Sequence, residues 1–152
     1  MGETIFSIEP LSENAKKHIE QTLNRKVCFI DRSVFFQKTE IHKILDNLIC
    51  RDRDAVSEIL DVCPNLKFLF IVSSGVEKLP FAKLRDRQIV VANTSGLNAP
   101  IMSEYAMAYI LSQSARVCEN LINQSKCYWK KFQCVDSLAG KNLLIVGAGK
   151  TG

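Results

Sequence analysis

The chain has 152 residues, of which 47% are hydrophobic and 24% charged, a balance that fits about one ordinary globular domain with a core to bury. Its net charge of +4 is spread over short clusters such as Arg51/Arg53, Arg85/Arg87 and Lys130/Lys131. With no long basic run and no aromatic ladder, nucleic-acid binding is not indicated. The amino terminus, Met1-Gly2-Glu3-Thr4-Ile5, has neither a basic n-region nor a long apolar stretch, and no later window approaches the ~18 apolar residues of a membrane span. The expectation is a cytoplasmic protein that makes no membrane contact.

Taken in order, Thr4–Ile8 reads as a short strand closed by Pro10, and Ser12 as the N-cap of a helix carrying Ala15, Ile19 and Leu23 at four-residue spacing. Val27–Ile30 is a second apolar run. Ile41, Ile44, Leu45 and Leu48 then fit a helical stripe, while Leu48-Ile49-Cys50 fits equally well as a third strand after a break at Asp46-Asn47. Residues 54–60 are helical in pattern and end before Pro64. Lys67–Val72 is an uninterrupted β-prone run, and a strand apolar on both faces implies a covered, parallel sheet. Ser73–Val76 forms the turn at its carboxyl end, and Gln88–Ala92 is another strand, closed by Asn93-Thr94-Ser95-Gly96. Strands alternating with helices make the class α/β.

The spacing predicts one long helix from about Ser103 to Leu121. Tyr105–Leu111 make its first half apolar all round, which implies burial on more than one side: between lobes, between subunits, or in the core. Trp129, in a mixed aromatic and basic segment, is expected to pack under a connecting loop. Six cysteines, at 28, 50, 63, 118, 127 and 134, show no C-x-x-C spacing, and the histidines are His18 and His42. The thiols read as reduced core or surface residues, and no metal site is expected.

At the end of the chain, Leu143–Val146 reads as a strand running into Gly147-Ala148-Gly149-Lys150-Thr151-Gly152. Gly147, Gly149 and Gly152 fit G-x-G-x-x-G: the first for the tight turn, the second for close approach of the backbone to a pyrophosphate, the third for helix against strand. Gly149-Lys150-Thr151 also ends the triphosphate loop G-x-x-x-x-G-K-[ST], but that motif needs glycine at Leu144. A dinucleotide is therefore preferred, held by Gly147, Gly149, Lys150, Thr151 and Gly152.

Several blocks agree in order and spacing with one family. Leu66-Lys67 entering a strand, the Ser74-Gly75-Val76-Glu77 turn, the strand from Ile89 to Gly96, Ser103-Glu104, Trp129 and Leu138–Lys141 before the glycine loop resemble the D-isomer-specific 2-hydroxyacid dehydrogenases. The resemblance runs over roughly residues 45 to 152. It implies a flavodoxin-like substrate lobe, here about 1–100, and the start of a Rossmann cofactor lobe at 101–152, with NAD the expected cofactor and NADP left open. It implies that a 2-hydroxy or 2-keto acid is held partly by backbone N–H groups of the turn Ser74, Gly75 and Val76. Arg51 lies where phosphoglycerate dehydrogenases of the family carry an arginine near the substrate phosphate, and a guanidinium suits that recognition. The alternative for Arg51 is an exposed loop in which it and Arg53 pair with Asp52 and Asp54. Pro80 stands where the family often has an acidic residue.

The family's catalytic arginine, acid and histidine all lie beyond the glycine loop, and neither His18 nor His42 sits in a matching segment, so no residue is assigned as acid–base catalyst. The helix that should complete the pyrophosphate site is missing as well. The expectation is the amino-terminal part of an NAD-dependent oxidoreductase, inactive alone and dimeric through the 103–121 helix, with residues beyond about 125 loosely held. The competing reading is a non-enzymatic flavodoxin-like binding or dimerisation module. Its FMN form fails for want of a Ser/Thr-rich loop at Glu9–Ser12, and its phospho-receiver form for want of paired acids there.

Overall fold

A computed structural model of the chain describes residues 4–51, 55–131 and 135–151. They divide into two compact units, Met1–Ser95 and Gly96–Gly152. The first unit is built on a five-stranded sheet of order β2-β1-β3-β4-β5 in which every pair is parallel. In chain order it comprises β1 (Thr4–Ser7), α1 (Glu13–Leu23), β2 (Lys26–Phe29), α2 (Arg32–Phe35), α3 (Thr39–Ile44), β3 (Asn47–Cys50), α4 (Val56–Val62), β4 (Phe68–Ile71), α5 (Phe81–Asp86) and β5 (Val90–Asn93). The order 2-1-3-4-5 is that of flavodoxin-like folds.

Local chemistry explains most boundaries. The Ser12 hydroxyl accepts from the Ala15 N–H at 3.2 Å and opens α1, and Asn24, left-handed at φ 50°, closes it. The Asp31 carboxylate accepts from the Ser33 N–H at 2.8 Å and starts α2, a turn that apolar spacing did not reveal. The stripe through Ile41 and Ile44 does not run on to Leu48. Leu45 is extended at ψ 113°, and Asn47–Cys50 pair with β4, so the strand reading of this ambiguous stretch is the one the fold adopts.

Alternation along the strands sorts the core. Leu48, Cys50, Leu69 and Ile71 are fully buried in the main cluster with Val56, Ile59 and Leu60 of α4 and Leu84 of α5. Ile5, Val27 and Ile49 form a smaller cluster, joined by Leu11, Ile19, Phe70 and Val72. The sheet is thus less evenly covered than the apolar run 67–72 implied: Phe68 and Phe70 are only half-buried and line an apolar cleft of about 410 Å³ with Ile19 and Leu23.

The second unit departs further from expectation. Instead of one helix over 103–121 there are two, α6 (Ala99–Ser114) and α7 (Val117–Ser125). Pro100 lies in the first turn of α6, where its missing N–H costs nothing, and Arg116 breaks the run at φ 54°, a left-handed residue carrying no glycine to announce it. The described residues of α6 are not buried as its apolar run implied. Among the described residues of α6 only Ala99 is buried, and Ile101, Tyr105 and Tyr109 are each more than half exposed. Trp129 is 91% exposed and not packed under a loop, because no described element lies over it. Leu143–Val146 do not form the expected strand: they pair with nothing described, and Leu144 and Val146 are 85% and 92% exposed. A strand needs a neighbour for its N–H and C=O groups, and this segment has none among the described residues.

Candidate functional site at the carboxyl edge of the sheet

In an open parallel sheet ligands bind outside the carboxyl ends of the strands. Here those ends bring together residues far apart in sequence: Ser7 at the end of β1 with Glu9 beyond it, Arg51 after β3, Ser73–Val76 after β4, and Asn93 at the end of β5 with Thr94 beyond it. All belong to the first unit.

The turn after β4 has an asymmetric hydrogen-bond pattern. Each of its carbonyls accepts: Ser73 from the Thr94 N–H at 3.2 Å, Ser74 from the Asn93 side-chain amide at 2.9 Å, Gly75 from the Ser73 hydroxyl at 2.7 Å, and Val76 from the Leu79 N–H at 3.0 Å. The backbone N–H groups of Ser74, Gly75 and Val76, by contrast, donate to nothing among the described residues. Ser74 is exposed and the other two half-buried, so the amides lie near solvent. Satisfied carbonyls beside leftover N–H donors are an arrangement that suits a carboxylate.

Gly75 does not have the positive φ that would demand glycine, and a Cβ built on it would meet only the flexible end of Glu77, its Oε2 at 2.7 Å. The fold therefore does not require glycine at 75. Its absent side chain leaves the turn open to close approach by a ligand. Glu77 places a carboxylate beside the same turn.

Arg51 reaches back across the sheet edge to β1. Its guanidinium pairs with Glu9, whose side chain is only 12% exposed against 37% for Arg51. Asp52, Arg53 and Asp54 lie outside the described residues. The Ser7 hydroxyl, fully buried, donates to the Glu9 carbonyl at 2.6 Å and holds the chain where Glu9 leaves the sheet. Glu9, Asn93, Ser73 and Glu77 were not singled out from sequence as site residues. The available signal was positional, since each polar residue just past a strand's apolar run falls on this edge.

The two histidines stay outside the edge described here. His18 is on α1, and His42 on α3 is buried with its Nε2 2.7 Å from the Phe35 carbonyl and its ring 4.9 Å from that of Phe35. In the second unit, Gly147 adopts φ 97°, as a tight turn needs, and a Cβ at Gly147 or Gly149 would meet nothing within 4 Å. The Lys150 side chain lies over Gly96, Thr151 is exposed, and Gly152 is outside the described residues. The segment leading into them, Leu143–Val146, is exposed and pairs with nothing described.

The all-parallel strand order 2-1-3-4-5 places the first unit in the flavodoxin-like α/β class. The particular family follows from comparison with known proteins. The family model for the D-isomer specific 2-hydroxyacid dehydrogenase catalytic domain matches residues 5–141, and the chain belongs to that family. Hydroxypyruvate reductase of Thermotoga maritima is 28% identical over 141 residues, covering 90% of this chain and 46% of that protein. A glyoxylate/hydroxypyruvate reductase of Arabidopsis thaliana is 24% identical, covering 94% and 47%. Among solved structures, a D-isomer specific 2-hydroxyacid dehydrogenase family protein from Aeromonas salmonicida superposes with a TM-score of 0.73 at 22% identity, covering 99% of this chain and 48% of that one. D-lactate dehydrogenase from Aquifex aeolicus, complexed with NAD and lactic acid, gives 0.71 at 16% identity, covering 98% and 45%. These structures share the fold. The chain spans about half the length of the curated relatives it matches.

Proposed function

We propose that this chain is the amino-terminal part of an NAD-dependent oxidoreductase that interconverts D-2-hydroxy acids and 2-keto acids, and that the Ser74, Gly75 and Val76 amides receive the acid's carboxylate. The observation that carries the reading is the imbalance in that turn, where four carbonyls accept and three consecutive N–H groups donate to nothing described. Such amides hold a carboxylate without ordering a mobile side chain, so little conformational entropy is lost on binding. Residues 1–100 form the substrate lobe on this reading and 101–152 begin the cofactor lobe. Gly147, Gly149, Lys150, Thr151 and Gly152 are the proposed pyrophosphate loop, and the cofactor is NAD, with NADP not set aside.

No described residue is proposed as acid–base catalyst, and the chain alone is expected to be inactive. Incubation with NADH and hydroxypyruvate, glyoxylate or 3-phosphohydroxypyruvate should show no oxidation of the cofactor, and robust turnover would refute this part of the proposal. The binding part is tested by titrating the 15N-labelled chain with hydroxypyruvate. Saturable amide shifts should centre on residues 74–76, and their absence at tens of millimolar acid would reject the assignment. Self-association through α6 and α7 is also proposed, on the exposed apolar side chains of α6.

A further inference from the structure

Resting on the carboxylate reading of Ser74–Val76, we infer that this edge selects a small 2-keto or 2-hydroxy acid carrying no phosphate, and that Glu9 is the residue that sets the selection. An arginine beside a carboxylate-binding turn invites a second anionic group, and a phosphorylated acid would supply one two carbons away. Here that invitation is already answered. Cys50 pairs in register with Ile71, so Arg51 leaves the sheet beside the chain that turns at Ser73–Val76, one strand spacing of about 4.8 Å away. Its guanidinium is engaged by the Glu9 carboxylate, a group largely shielded from water, and the buried Ser7 hydroxyl donates to the Glu9 backbone carbonyl.

The charges at the edge therefore count against a dianion. Among the described residues the Arg51 charge is met by that of Glu9, and Glu77 adds a further carboxylate next to Gly75. One carboxylate of the ligand is accommodated by neutral amides that no ion pair competes for. A phosphate placed near Arg51 would have to displace Glu9 or sit against it, leaving a poorly hydrated carboxylate beside a doubly charged group. Selection of this kind works by repulsion as much as by attraction.

The inference is tested on the full 152-residue chain by following the residue 74–76 amides during titration with hydroxypyruvate and, separately, 3-phosphohydroxypyruvate. The unphosphorylated acid should bind severalfold more tightly. Glu9→Gln should raise affinity for the phosphorylated acid by about tenfold, as removal of one nearby partly shielded charge implies. Arg51→Gln added to Glu9→Gln should abolish that gain. Tighter binding of the phosphorylated acid by the unmodified chain would overturn the inference, as would no gain in a Glu9→Gln chain whose amide spectrum is otherwise native. If Glu9→Gln does not fold, the comparison of the two acids on the unmodified chain decides alone. Failure of both acids to move the residue 74–76 amides would instead sink the carboxylate reading beneath it.

Discussion

Arg87 shows how one side chain can finish an element it does not belong to. Its guanidinium donates to the Leu60 carbonyl, to that of Cys63 at 2.6 Å and to that of Pro64 at 3.0 Å, satisfying carbonyls that the carboxyl end of α4 leaves without intrahelical partners. Arg87→Ala should lower stability by about 1–3 kcal/mol, read from the urea midpoint, and Arg87→Lys should recover only part, because the fork reaches several acceptors at once. Burial pushes the neighbouring Cys63 thiol up to about 11, against the pull of Arg87. Because the folded value lies above the ordinary one near 9, the unfolded chain ionises first as pH rises. Stability is then whole below pH 9 and falls as pH climbs from about 9 towards 11. At pH 8 a thiol reagent followed by mass spectrometry should label the exposed Cys28, Cys118 and Cys127 and spare Cys63. At the proposed site, Gly75→Leu should cut hydroxypyruvate binding at least tenfold while shifting thermal stability little, since the fold does not demand glycine there.

At the scale of elements, β3 and β4 carry the sheet. Leu69 is fully buried between neighbours on both sides, and Leu69→Ala should cost about 2–5 kcal/mol in chemical denaturation, enough to threaten a chain of this size. The glycine-loop segment is the opposite case. Residues 142–151 lack strand pairing, and their amides should exchange at near-coil rates while those of Leu48 and Leu69 are protected; strong protection throughout 142–151 would show that they dock. Helix type was legible wherever a cap or an apolar stripe was local, as with Ser12 and α1. Arg116 was not legible, because its left-handed backbone has no glycine or proline to mark it.

At the scale of the whole molecule, the proposed self-association rests on the exposed apolar side chains of α6. Ile101, Met102, Tyr105, Tyr109 and Leu111 are exposed, and a helix apolar all round is ordinarily covered. Light scattering across a concentration series should show association. Tyr105→Glu with Tyr109→Glu should return the chain to monomer without altering the first unit's amide spectrum, and a chain monomeric at millimolar concentration would reject the proposed pairing.

What the sequence determined by itself were the features that local chemistry encodes: the alternation of strands and helices, the turn at Ser73–Val76, and the G-x-G-x-x-G letters at 147–152. Periodicity, caps and glycines act within a few residues, so they can be read there. Tertiary structure alone decided that Glu9 pairs with Arg51 and that the Asn93 side-chain amide donates to the Ser74 carbonyl. Those outcomes depend on which strand ends lie side by side in the order 2-1-3-4-5, and adjacency across a sheet is a relation between distant segments that no local pattern carries.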